Sequence, residues 1–146
     1  MIAISPRSVG RNWGTISFAS TLYLCPILDL LLADVPTRWR AELRLGLQEA
    51  LVNAAKHGNK LDPDKKVFVR FSVVESNYWW MISDQGPGFA PPKNELCENL
   101  PVDENECGRG LYILNQVFDQ VHWNNQGREL CLCKQMSSRF RLPLVR

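Results

Sequence analysis

Two segments of the chain carry the clearest patterns of apolar and polar positions. Between residues 38 and 57, apolar side chains recur at helical spacing, which predicts a long helix that ends just before Gly58. The apolar stripe of this helix comprises Leu43, Leu47, Ala50, Leu51 and Ala54. Between residues 67 and 74, apolar and polar side chains alternate, which predicts a strand with one buried face.

Shorter patterns predict the remaining elements and their order. Strands are expected at residues 15–20, 78–83, 121–123 and 129–134, and helices at residues 22–33 and near Gly110. We expect Thr37 to cap the long helix, and a polar turn at residues 124–127 to join the last two strands. This order predicts an α+β fold in which one mixed sheet is covered by helices on one face.

Length and composition fit one domain. A chain of 146 residues, 45% hydrophobic and 22% charged, is long enough to bury a sizeable core. We expect residues 14–136 to form this domain, residues 1–13 to be a flexible leader and residues 137–146 to be a C-terminal tail. Residues 90–107 are rich in Pro, Glu and Asn without periodicity, which predicts a mobile loop.

Charge and cysteine content narrow the classes of function. The net charge of +2 comes without a basic stripe, so we expect no direct binding of nucleic acid. The most apolar run, residues 22–33, is shorter than the roughly 20 residues of a membrane span, so we expect no membrane-spanning helix and no association with a membrane. Cys131 and Cys133 lack the spacing of a zinc site and are expected to be small core or surface residues. The cytoplasm, which keeps thiols reduced, is the simplest location.

The most informative motif follows the strand predicted at residues 78–83. It reads Asp84-Gln-Gly86-Pro-Gly88-Phe89. A carboxylate at the end of a strand can accept hydrogen bonds from the exocyclic amine of a ligand. The two glycines allow a sharp turn and a close approach of the backbone to that ligand. Taken alone, the motif is also compatible with a simple turn.

A line of polar and small residues runs along the margin of the apolar stripe of the long helix. It comprises Glu42, Gly46, Glu49, Asn53 and His57. The carboxamide oxygen of Asn53 is a hard, neutral ligand that suits Mg²⁺. Glu49, one turn earlier, is able to hold or deprotonate a nucleophilic hydroxyl. Two simpler explanations stay open: Glu49 and Asn53 as a hydrogen-bonded boundary pair, and His57 as a partner of the helix dipole only.

A third motif opens the last predicted helix and reads Gly108-Arg-Gly110-Leu111. Free N–H groups at a helix N-terminus form an anion site, and a plain joint between loop and helix does not need two glycines. Arg109 can face phosphates or a protein partner. Neither a P-loop nor the H-R-D and D-F-G motifs of protein kinases occur in the sequence.

In this order, the three motifs resemble the N, G1 and G2 boxes of the histidine-kinase-like ATPase superfamily, whose domain is also called the Bergerat fold. The shortness of the chain makes it similar to the anti-sigma-factor serine/threonine kinase branch. The resemblance covers residues 16–134 and implies a two-layer sandwich, with helices on one face of a mixed, mostly antiparallel sheet. It also implies ATP and Mg²⁺ as cofactors.

The resemblance assigns roles residue by residue. Glu49 would be the catalytic residue, Asn53 would hold Mg²⁺, and Asp84 would bind the adenine amino group while Gly88 supports the ring. The other nucleotide-binding positions would be His57, Gly86, Gly108, Arg109, Gly110 and Leu111. Residues 90–107 would form the ATP lid. A relative of this kind binds a sigma factor, phosphorylates a small STAS-type anti-anti-sigma partner on serine or threonine, and can form a homodimer.

Two departures from the family pattern keep other functions open. Gly127 is followed by Arg128, where the family usually has Gly-Thr and a hydroxyl that helps to hold adenine through water. The expected lid is short and has no phosphate-reading motif of its own. One alternative is a nucleotide-gated binding module without transfer activity. Another is a catalytic domain that serves a separate histidine phosphotransfer protein.

Overall fold

The computed structural model describes residues 2–5, 13–88 and 106–136. Its described strands form one six-stranded sheet in the order β1-β2-β3-β4-β6-β5. The strands are β1 (Ala3–Ser5), β2 (Gly14–Ala19), β3 (Lys66–Val74), β4 (Asn77–Ser83), β5 (Gln120–Asn124) and β6 (Glu129–Gln135). The helices are α1 (Cys25–Leu31), α2 (Thr37–Val52) and α3 (Glu106–Val117), and a π-helical turn, Asn53–Gly58, continues α2.

The α+β fold class is confirmed, and the pairing of the strands is more uniform than expected. Every neighbouring pair of described strands is antiparallel. β4 and β5 run in the same direction, but β6 lies between them and pairs antiparallel with both. This insertion explains why the sheet, expected to be mixed, contains no parallel neighbours among the described strands.

The core lies between one face of the sheet and the helices. Because side chains alternate along a strand, inward positions of four strands are buried: Ile16, Phe18, Val67, Val69, Trp80, Ile82, Leu130 and Leu132. The whole stripe predicted for the long helix is also buried: Leu43, Leu47, Ala50, Leu51 and Ala54. The periodicity of the sequence therefore identified correctly which face of α2 turns to the sheet.

Three boundaries differ from the sequence-based expectations. Within the expected leader, Ala3–Ser5 pair with β2 and form an edge strand, because β2 would otherwise leave its backbone groups without a neighbour. Pro36, not Thr37, occupies the N-cap of α2, and its carbonyl accepts the Trp39 N–H at 2.9 Å. α3 begins at Glu106, so Gly108 lies in its first turn and not before it.

A close approach of α2 and α3 depends on Gly46. A methyl group at this position would lie 2.6 Å from the Phe118 ring and 2.8 Å from the Val117 side chain. The Phe118 ring in turn packs edge-on against Trp80 of the sheet, with ring centroids 5.8 Å apart. Gly46 therefore belongs to the packing of the helices, and it determines how closely the C-terminal end of α3 approaches α2.

A buried ion pair crosses this core. Lys134 of β6 places its Nζ atom 3.0 Å from Glu42 Oε1 and donates a second hydrogen bond, of 2.8 Å, to the Val117 carbonyl. The same ammonium lies 4.7 Å from the centre of the Trp39 ring. Glu42 shares a helical line with Glu49 in the sequence, but the structure assigns it to the core.

We expect removal of one member of this pair to lower the free energy of unfolding. In Lys134→Met, the buried Glu42 carboxylate loses its cation, and we expect the free energy of unfolding in urea to fall by about 3–5 kcal/mol. The matched control is Arg44→Met, which breaks the 2.8 Å pair between Arg44 and Asp29 on the surface. The free energy of unfolding of this control should fall by at most about 1 kcal/mol. Equal losses in the two variants would contradict the structural role of the buried pair.

Candidate functional site

Asp84 lies directly after β4, on the helix-covered side of the sheet. Its N–H donates to the Arg128 carbonyl at 3.0 Å, which continues the ladder between β4 and β6 by one pair. Its carboxylate folds back and accepts the Gly86 N–H at 2.8 Å. No other hydrogen bond to this carboxylate comes from the described residues. One side of the carboxylate is therefore available to a ligand donor.

The electrostatic surroundings of Asp84 act in opposite directions. Partial burial raises the pKa of its carboxyl group above the ordinary value. The Gly86 N–H, the Arg128 guanidinium and the Lys65 ammonium lower the pKa, in that order of size, but do not cancel the effect of burial. A partly desolvated carboxylate with an open oxygen gains from a hydrogen-bond donor such as an amino group.

Two glycines bring the Asp84 loop against the end of the helix. A methyl group at Gly58 would overlap the Asp84 carboxylate, and one at Gly86 would overlap the Gly58 carbonyl oxygen. These contacts join the loop after β4 to the last residue of the π turn. A side chain at Gly58 would displace the Asp84 carboxylate, and one at Gly86 would force the two backbones apart.

Gly88 needs its glycine for a different reason. Its φ of 80° lies in the left-handed region, and a methyl group there would overlap the Gln126 carbonyl oxygen. The loop after β4 is therefore held against two neighbours, the π turn on one side and the turn before β6 on the other.

Glu49, Asn53 and Gly110 meet at the opposite end of the π turn. A methyl group on Gly110 would lie 3.4 Å from Glu49 Oε2 and 3.5 Å from Asn53 Nδ2. These distances are ordinary van der Waals contacts, so the start of α3 lies directly beside the two polar side chains. Glu49 and Asn53 are both half-buried. The three predicted motifs thus converge on one six-residue segment, Asn53–Gly58.

The π turn itself was not predicted. The pattern of apolar residues predicts an uninterrupted α-helix to residue 57, whereas the structure widens the helix after Val52. The Asn59 N–H donates to the Ala54 carbonyl, five residues earlier, at 2.9 Å. Single π-helical turns are frequent at functional sites, and Ala54 and Ala55 supply the small buried side chains of this one.

Asn59 is a supporting residue that the sequence analysis did not single out. It is fully buried, and its Nδ2 donates to Ser20 Oγ at 2.9 Å and to the Lys66 carbonyl at 3.0 Å. Its Oδ1 accepts the Gln85 N–H at 2.7 Å. A buried amide that uses both ends in this way fixes the loop between Asp84 and Gly86 relative to β2 and β3. The signal in the sequence was only its place next to Gly58.

The other predicted positions are less constrained. His57 is exposed in the π turn, and Arg109 is exposed in the first part of α3. Leu111 packs partly buried against the core, and Gly108 lies in the first helical turn, whose N–H groups lack partners within the helix. Most of the expected lid, residues 90–105, lies outside the described residues.

The polar groups beside Gly110 fit a magnesium ion held mainly by phosphate. Within the described ranges, no three His, Cys, Asp or Glu side chains form a metal cluster. Mg²⁺ bound together with nucleotide needs only one or two protein oxygens, since phosphate and water supply the others. The Asn53 carboxamide, with Glu49 beside it, offers such oxygens.

Comparison with known proteins gives relatives at modest identity. A serine-protein kinase RsbW from Bacillus licheniformis is 35% identical over 88 residues, which are 56% of this chain and 55% of the relative. A protein of the same name from Bacillus subtilis is 29% identical over 103 residues, 66% of this chain and 64% of the relative. The chain thus spans less than two thirds of the length of either relative. In its described part, no helix is long and apolar enough to cross a bilayer.

A family profile covers most of the chain. The profile described as the histidine kinase-like ATPase domain matches residues 29–134, which include α2, the π turn, Asp84 and α3. The chain therefore belongs to the histidine kinase-like ATPase domain family, and its named relatives support the serine-kinase branch that the three motifs indicate.

Proposed function

We propose that this protein binds ATP with Mg²⁺ and transfers the terminal phosphoryl group to serine or threonine of a small protein partner. The observation that carries the proposal is the convergence on the Asn53–Gly58 turn. Asp84 and Gly86 lie at one end of the turn, and Glu49, Asn53 and the start of α3 lie at the other. We further propose residues 14–136 as the catalytic domain and the cytoplasm as its location.

In this proposal each end of the turn has a separate task. Asp84 accepts a hydrogen bond from the adenine amino group, and Gly88 lets the backbone approach the ring. Asn53 contributes one oxygen to Mg²⁺, which neutralises charge on the phosphates when bound. The N–H groups around Gly108, Arg109 and Gly110 bind phosphate oxygens.

Glu49 acts on the nucleophile. The partner hydroxyl oxygen bonds to the terminal phosphorus while the bond from that phosphorus to the bridging oxygen breaks. The hydroxyl proton passes to the Glu49 carboxylate, and ADP leaves. Arg109, exposed on α3, would face the protein partner.

The proposed partners follow from the named relatives and the family resemblance. We propose a STAS-type anti-anti-sigma protein as the phosphoryl acceptor and a sigma factor as the second partner, so that phosphorylation would switch the chain between them in transcription regulation. A homodimer is compatible with this function.

Arg128 favours a second candidate, a nucleotide-gated binding module without transfer activity. This residue stands where the family usually carries a hydroxyl, and it lies beside the proposed base pocket. A single-turnover assay with γ-labelled ATP and a STAS-type protein separates the two functions. Acid-stable label on the partner supports the kinase, and acid-labile label indicates histidine phosphotransfer. ATP-dependent partner binding without label supports the module.

We expect Asp84→Ala to weaken ATP binding. A hydrogen bond to a charged group contributes about 1.5–3 kcal/mol, so calorimetry should show a Kd for ATP raised by roughly 10- to 150-fold. The control is Asp29→Ala, which removes a carboxylate that pairs with Arg44 on the surface of α1. An unchanged Kd in a folded Asp84→Ala protein would argue against the pocket.

We expect Glu49→Gln to separate chemistry from binding. The carboxamide keeps the size of the side chain but accepts no proton, so the rate of phosphoryl transfer should fall by about 10²- to 10⁴-fold. The Kd for ATP should change by less than about threefold, because only a transition-state interaction is lost. Equal losses of rate and affinity would contradict the role of Glu49 as a base.

A further inference from the structure

Asp84 directly follows β4, and Arg128 directly precedes the neighbouring strand β6. Ser83 pairs with Glu129 at the end of the ladder, so Asp84 and Arg128 form the next opposed pair, joined by the 3.0 Å backbone hydrogen bond. Opposed residues on adjacent strands bring their side chains close together on one face. The Arg128 guanidinium is close enough to the Asp84 carboxyl group to lower its pKa, so a carboxylate and a guanidinium border the same space.

That space lies on the helix-covered side of the sheet. Side chains of a strand alternate between its faces, so Asp84, directly after β4, shares a face with the buried Ile82, and its carboxylate lies against Gly58 at the end of the π turn. The stem of Arg128 also borders the glycine loop, since its Cγ atom lies 3.4 Å from a methyl group placed on Gly88. The stem of Arg128 thus borders the loop that forms one side of the proposed base pocket.

The hydrogen-bonding capacity of Arg128 is largely unused. A guanidinium carries five N–H donors, and within the described part of the chain its one hydrogen bond runs from Nη2 to Gln126 Oε1 at 3.3 Å. Its Nε is buried and finds no acceptor among the described residues. A buried donor without an acceptor is unfavourable. If the Arg128 side chain moved so that its donors reached an acceptor atom of a ligand, the new hydrogen bond would stabilise that arrangement.

We propose that Arg128 is a base-binding residue that reads the adenine edge together with Asp84. This inference rests on the proposed binding of ATP. Adenine presents an amino donor next to the ring acceptor N1, and the opposed pair presents an acceptor next to a donor. Asp84 accepts from the amino group, and the Arg128 guanidinium donates to N1 directly, in place of a water held by a hydroxyl.

The decisive ligand is 1-deaza-ATP, in which a C–H group replaces N1 while the amino group remains. Calorimetry on the wild-type chain with Mg²⁺ should give a Kd for 1-deaza-ATP about tenfold higher than for ATP, the usual effect of one lost hydrogen bond to a charged group. This comparison needs no variant, so it does not depend on the folding of a mutant.

The matching variant is Arg128→Met, which keeps an apolar stem beside Gly88 and removes every donor. We expect it to bind ATP about tenfold more weakly than the wild type and to distinguish the two nucleotides by less than about twofold. The control is Arg70→Met, because Arg70 lies on the face of the sheet away from the helices, next to Glu129 and Met81. That control should keep the wild-type Kd for ATP and the wild-type ratio between the Kd values for 1-deaza-ATP and ATP.

Three results would overturn the assignment while leaving ATP binding intact. In the first, the wild-type chain binds the two nucleotides with equal affinity. In the second, Arg128→Met keeps the wild-type ratio between the two Kd values. In the third, this variant binds ATP more tightly than the wild type. The last result would show that the Arg128 side chain obstructs the binding of ATP. A wild-type chain that binds neither nucleotide would instead reject the proposed function, and this inference with it.

Discussion

The contact between two backbones, at Gly58 and Gly86, is the constraint on which the site depends. Without side chains at these positions, the loop after β4 lies directly against the end of the π turn. The buried Asn59 holds the same loop from behind, through Gln85. Because these contacts hold the loop from two sides, and the Asp84 carboxylate accepts the Gly86 N–H, the fold determines where this carboxylate lies. A binding group that is fixed in advance loses little entropy when a ligand arrives.

The π turn has a matching role on the side of α3. Gly46 lets α3 approach α2, and Gly110 lets the start of α3 lie beside Glu49 and Asn53. The distance between the two ends of the site is therefore determined by one six-residue segment and by helix packing behind it. A shift of α3 relative to α2 would therefore move the backbone near Gly110, while the Asp84 loop stays in place against Gly58.

Much of this architecture was predictable from local sequence. The apolar stripe of α2 and the alternation of β3 depend on neighbouring residues, and the buried face of α2 was identified correctly at positions such as Leu47. The three motifs were recognisable because glycines next to polar groups are unusual in regular elements. The role of Lys134 could not be predicted from local sequence, because its partner Glu42 is 92 residues away in the chain. The role of Asn59, the edge strand β1 and the π turn likewise depend on tertiary contacts that no local pattern encodes.

The place of β6 in the sheet has a consequence for how the chain acquires its structure. The sixth strand in sequence lies between the fourth and the fifth, and it also carries the ammonium that neutralises Glu42. Until residues 129–135 have left the ribosome, β4 keeps an open edge and Glu42 lacks the Lys134 ammonium. Contacts this distant in sequence slow folding, and an open edge invites association with other chains. The sheet beside Asp84 is consequently completed late in synthesis, and until then the open edge of β4 is a potential site for chaperone binding.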